Sequence, residues 1–123
     1  AIVGNTKYVC EAGFKAAPQN NALSRNEINR LIESKEWINL ARATLELVFQ
    51  IDSQSHFTLR GYRGIEFQAR PKSGPGAENV RMTLSMIETA KGRVTVVCGT
   101  TRAAFRSAVK TFRAIRSGVI LPE

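Results

Sequence analysis

The chain has 123 residues, enough for one domain with a modest core, residues 1–123 forming a single unit. Its 43% hydrophobic and 23% charged residues exclude a disordered tail, and no apolar run approaches the roughly 20 residues that span a bilayer. Eighteen Lys and Arg against ten Asp and Glu give a charge of +8, which favours polyanionic partners, chiefly nucleic acid or an anionic membrane face. The same charge would also serve simply to keep a basic protein soluble.

Thr6 to Glu11 alternates polar and apolar residues and predicts a short first strand. Gly13 and then Pro18-Gln19-Asn20-Asn21 are turn chemistry. Ser24-Arg25-Asn26-Glu27 is a capping box that opens a helix, with Ile28, Leu31 and Ile32 on one face. Trp37, Leu40, Ala41, Leu45 and Val48 continue at helical spacing but rotated, so the segment to about Gln50 reads as one kinked helix or two in succession.

From His56 to Gly99 the period becomes that of strands. Phe57 and Leu59, then Ile65 and Phe67, flank a turn predicted at Gly61-Tyr62-Arg63-Gly64. Pro71 to Gly76 is a loop unsuited to a ladder. Val80–Ile87 and Arg93–Cys98 read as two strands joined at Lys91-Gly92. A helix from Thr101 to Ser117 closes the chain, with Phe105, Ala108, Val109, Phe112 and Ile115 on one face and Arg102, Arg106, Lys110 and Arg113 on the other. The fold class is α+β: an N-terminal strand and helix packed on an antiparallel sheet, with an added C-terminal helix.

Cys10 and Cys98 are the only thiols, and His56 is the only histidine. No CxxC pair and no second histidine could complete a zinc site, so neither a metal nor another cofactor is expected. As a pair the cysteines would close almost the whole domain and contribute about 4–5 kcal/mol in the chain-entropy description. As two buried thiols they would suit a reducing compartment equally well.

Four blocks, in order, resemble the fungal guanine-specific ribonucleases (the ribonuclease T-one family). They are Tyr8-Val9-Cys10-Glu11, His56 through Phe67, Pro75-Gly76-Ala77-Glu78-Asn79-Val80, and Lys91-Gly92-Arg93-Val94-Thr95-Val96-Val97. The resemblance implies a ribonuclease-like fold with His56 at the first catalytic histidine. The family's glutamate falls at Ala69, its arginine at Asn79 and its second histidine at Gly99. Such enzymes need an acid and a base on either side of the scissile phosphate, so the resemblance implies a vestigial His56 and a chemistry that has been lost.

The Tyr8-Val9-Cys10 start also resembles the inactive ribonuclease-like effectors of cereal powdery mildew fungi. That likeness implies a Cys10–Cys98 disulfide and a signal-peptide cleavage point near Ala1. It further implies a secreted monomer delivered to the host cytoplasm or nucleus, which supports virulence and is recognised by plant intracellular immune receptors. Host RNA or the ribosome is the expected target, with no membrane involved. The candidate RNA-binding residues are Tyr62, Arg60 and Arg63 around the turn, with Tyr62 stacking on a base, and Arg102, Arg106, Lys110 and Arg113 tracking phosphates. Against these stand a Tyr62 packed on the sheet and a helix face that is merely solvated. Two other readings remain: an active nuclease toxin in which His56 works with Glu66 or Glu78 and Arg81, and a protein-binding module on the same fold.

Overall fold

The structure is a computed structural model that describes residues 2–3 and 6–122. Six antiparallel strands share one sheet in the order β1-β2-β6-β5-β4-β3. They are β1 (Ile2–Val3), β2 (Thr6–Ala16), β3 (Phe49–Leu59), β4 (Tyr62–Pro71), β5 (Val80–Glu88) and β6 (Gly92–Thr101). Helices α1 (Arg25–Glu33) and α2 (Lys35–Leu45) cover one face, and α3 (Phe105–Ser117) covers the other. The expected α+β class is therefore what the chain forms. Among the described residues no helix is long and apolar enough to cross a membrane.

Two apolar clusters follow from the alternation of each strand. Ile65, Phe67, Ala69, Leu84 and Met86 point towards Ile32 and Ala41 of α1 and α2. Ile87, Val94, Val96 and Cys98 point towards Ala108 and Phe112 of α3, with Ile28 and Tyr62 completing that cluster. Helices on both faces leave β4 and β5 buried along most of their length, although their sequences alternate apolar and polar residues.

The α1–α2 segment resolves into two helices because Ser34 serves both. It ends α1, and its hydroxyl accepts from the Trp37 backbone N–H to begin α2. At the start of α1 the capping box forms as read: Ser24 Oγ accepts from the Glu27 N–H at 3.2 Å, and Glu27 Oε1 accepts from the Ser24 N–H at 3.1 Å. Those bonds hold the Glu27 carboxyl below its ordinary value.

Several boundaries differ from the sequence reading. Helix α2 stops at Leu45, not near Gln50, because Phe49, Gln50 and Ile51 pair with Pro71, Arg70 and Ala69. Pro71 thus takes the last rung of a ladder, a position that sacrifices no interior hydrogen bond. Strand β2 runs through Gly13 to Ala16, paired with β6 from Tyr8 onward. The β3–β4 turn is Arg60-Gly61, both at positive φ (48° and 86°), and Tyr62 opens β4 instead of lying in the turn. A two-residue turn of this kind matches the right-handed twist of its strands. It holds a non-glycine residue, Arg60, in the left-handed region, at a cost of about 1–3 kcal/mol. Helix α3 starts at Phe105, four residues later than the pattern indicated.

Cys10 and Cys98 are cross-strand neighbours in β2 and β6 and are joined by a disulfide spanning 88 residues. The loop it closes includes the whole cluster beneath α1 and α2 and the strand residues of the other, while Ala108 and Phe112 of α3 lie outside it. Reduction of this bond should lower the thermal midpoint by roughly 10–20 °C, the equivalent of about 4–5 kcal/mol. Thermal melts with and without reductant check this, and coincident curves would contradict it.

Candidate nucleic-acid interface

One buried carboxylate organises the α3 face. Glu66 sits in the middle of β4 between Ile65 and Phe67, with 3% of its surface exposed. Strand alternation turns it away from α1 and α2 and towards α3. Arg113 donates to both of its oxygens, Nε to Oε1 at 3.3 Å and a terminal nitrogen to Oε2 at 2.9 Å, and Arg116 donates to Oε1 at 2.8 Å. Glu66 pushes Arg113 up from the usual arginine value, whereas burial pulls Arg116 down. Both guanidinium groups remain cationic.

Arg116 also lies over the Phe57 ring, 3.6 Å from its centroid. Phe57 in turn covers Gly64, where any Cβ would collide with the ring. From the turn, Arg60 donates to the carbonyls of Ser117 and Val119 and so caps the last turn of α3. The contacts of Arg60, Arg113 and Arg116 thereby fix α3 on the sheet.

The fixed helix presents a one-sided charge pattern. From Arg102 to Gly118 the chain carries five cations and no carboxylate. Arg113 and Arg116 are committed to Glu66. Arg102, Arg106 and Lys110 are exposed and make no ion pair or side-chain hydrogen bond among the described residues. Four-residue spacing places Arg106 and Lys110 about 6 Å apart along one side of the helix, and Arg102 lies in the turn just before it. Arg102 and Arg106 crowd the helix N-terminus, where the backbone dipole disfavours positive charge, and no acidic residue offsets them in the first turn. Such an arrangement lowers the stability of the free helix and is relieved by an anion. On the opposite face, Glu27, Glu33, Glu36 and Glu46 intersperse the cations of α1 and α2.

The remaining residues singled out from the sequence are dispersed. Tyr62 is buried, with 5% exposed, beneath the Arg25 guanidinium. Arg63 faces α1, bonded to Glu33 and Thr58, and is a structural contact. His56 also faces α1: its Nε2 lies 3.4 Å from the Ile32 carbonyl and, with the proton on that nitrogen, donates to the end of the helix. Glu66 occupies the other face, so His56 and Glu66 share no site.

Nor do the other positions aligned with catalytic residues converge. His56 lies in the row Ile65-Met86-Thr95, whereas Gly99 lies in the row Met82-Ala69. Three strand spacings and a four-residue offset separate His56 from Gly99, roughly 20 Å. Asn79 ends a short turn (Ala77–Asn79), where its carbonyl accepts from the Arg102 N–H. Arg81 donates to the Glu78 and Val80 carbonyls in the same turn, and the Glu78 side chain is exposed.

Sequence reasoning missed two anchors. One is Glu66 with Arg116, signalled only by a carboxylate set in an apolar strand, which demands a buried cation. The other is Glu88, buried at the end of β5, where it bonds Arg93 at 2.5 Å and Asn20 at 3.1 Å while Arg93 lies over Trp37. Glu66→Gln should destabilise the fold by about 3–5 kcal/mol, because two guanidinium groups lose a buried counter-charge. Arg113→Gln should cost less than about 1 kcal/mol, since Arg116 still neutralises Glu66. Urea unfolding of both variants checks the asymmetry, and equal losses would contradict the clamp.

No protein-family model matches the chain, and no curated protein matches it. Among solved structures it is similar to PA94 from Pseudomonas aeruginosa, a protein of unknown function described as a putative regulator. That match has a TM-score of 0.62 and 8% identity, covering 96% of this chain and 85% of that one. It is also similar to PsbP from the cyanobacterium Synechocystis, with a TM-score of 0.50 and 10% identity over 88% of this chain and 64% of that one. At these identities the likeness shows the fold alone.

Proposed function

We propose that the chain is a non-catalytic RNA-binding domain that uses the outer face of α3. The observation that carries this reading is the stripe Arg102, Arg106 and Lys110: three exposed cations without an ion pair among the described residues, on α3 and the turn that leads into it, a segment that lacks carboxylates and is held in place by Glu66. RNA offers phosphates at a spacing that a row of cations can follow, and binding releases the condensed counterions. Arg113, half-exposed while bonded to Glu66, lies at the end of the row and would set its direction. Of the residues expected to bind RNA, this proposal keeps Arg102, Arg106, Lys110 and Arg113 and leaves out Arg60, Tyr62 and Arg63.

The chemistry of the old family plays no part in the proposal, because His56 is engaged with α1 and stands far from the Gly99 position. A secreted life fits the Cys10–Cys98 bond, since such bonds persist in oxidising compartments. The host-cell setting, with delivery to plant cytoplasm or nucleus and recognition by an immune receptor, comes from the Tyr8-Val9-Cys10 start that resembles the mildew effectors.

Filter binding to a short single-stranded RNA at several salt concentrations tests the proposal. The logarithm of affinity should fall with the logarithm of salt with a slope of about −2 to −3, the value for three or four phosphates. The triple variant R102Q/R106Q/K110Q should lose most of both the affinity and the slope while keeping the wild-type melting curve. Wild-type affinity that ignores salt, or a triple variant that binds normally, would overturn it. RNA cleavage that disappears in His56→Ala would favour the nuclease reading instead.

A further inference from the structure

Among the described residues, strand β2 has an edge that no other strand pairs beyond Lys7. On one side it pairs with β6 from Tyr8 to Ala16, while on the other β1 reaches only Thr6 and Lys7. Every residue from Glu11 to Ala16 is exposed. The Ala17 N–H donates to the Lys91 carbonyl at 3.1 Å, continuing the β2–β6 ladder. In an antiparallel pair, residues that exchange hydrogen bonds alternate with those that do not. The odd-numbered residues of β2 therefore bond inward to β6, and the N–H and C=O groups of Cys10, Ala12, Phe14 and Ala16 point outward. A strand edge of this length is a template for another strand.

We propose that the occupant is β2 of a second copy, paired antiparallel about Gly13 so that one sheet runs through a dimer. The charge pattern selects this register. With Gly13 opposite itself, Glu11 faces Lys15 of the second copy and Lys15 faces its Glu11, giving two opposite-charge pairs at exposed positions. The same register places Ala12 opposite Phe14 and Cys10 opposite Ala16, all outward-bonding residues, so the hydrogen-bond parity is satisfied. Centring on Glu11 or Lys15 would instead oppose like charges.

An apolar groove beside the edge supports the same occupant. It measures about 300 Å³ and is lined by Ala12, Phe14, Val94, Val119, Ile120 and Pro122. Phe14 is 50% exposed and Ile120 88% exposed in the single copy. In the proposed register, Phe14 of the second copy arrives beside Ala12 and enters this groove, and the exchange is reciprocal. A twofold axis perpendicular to the sheet keeps both α3 helices on one face. The inference is independent of RNA binding and replaces the monomer expected from the resemblance.

Sedimentation equilibrium of the disulfide-bonded chain tests the proposal through charge reversal. Glu11→Lys and Lys15→Glu should each raise the dimer dissociation constant about tenfold or more, and the double variant E11K/K15E should restore it. Gly13 has open space where a Cβ would stand, so Gly13→Cys is sterically tolerated. Across the dyad it should form a reducible dimer, because directly opposed residues lie within disulfide reach. A wild-type chain that stays monomeric from micromolar to millimolar concentration would overturn the proposal. So would a dimer whose single and double reversals behave alike, or a Gly13→Cys chain that does not cross-link.

Discussion

The arrangement of this protein depends on one buried carboxylate. Glu66 lies in the second strand from the β3 edge, where burying an ion without a partner would be severely unfavourable. Two arginines from α3 meet it, and that requirement fixes where the helix sits and how it is rotated. With Ala108 and Phe112 buried against the sheet, helical geometry leaves Arg106 and Lys110 outside and Arg113 at the boundary, with Arg102 leading into the same stripe. The apolar face and the ion cluster together hold the cationic row outward. A carboxylate surrounded by hydrogen-bond donors also resists competition from solvent, which holds the helix in its orientation.

Much of the fold was legible because its signals are local. The Ser24–Glu27 box, the apolar face of α3 and the β5–β6 pair around Lys91-Gly92 each depend on residues within a few positions of one another. The errors arose where partners distant in sequence decide the outcome. Val48 continued a helical period, yet Phe49, Gln50 and Ile51 become strand because β4 is there to receive them. Gly13 read as a turn until β6 extended the ladder past it. Tyr62 looked like a turn residue because Gly61 and Gly64 flank it, while the turn itself uses Arg60 and Gly61. Arg60 in the left-handed region has no local signature, and its cap on α3 becomes visible only in three dimensions.

The candidate site was legible in half. The alternation of cations along α3 was plain in the sequence, but which of them are free could not be read, because Glu66 lies 47 residues before Arg113. His56 shows the converse. Its neighbours resemble a catalytic strand, but its ring serves the end of α1, and the strand registers carry it away from the positions that would complete a reaction centre. A side chain so placed contributes to packing and helix termination, a commoner employment for a lone histidine than proton transfer.

The proposed function confines RNA contact to the outer face of α3 and the turn before it. An amide chemical-shift titration with a short single-stranded RNA tests it most directly, because it reports location as well as binding. The largest shifts should fall between residues 102 and 113, with the amides of His56, Tyr62 and Arg63 nearly unmoved. Shifts centred on β3 and α1 instead, or none at saturating RNA, would contradict it.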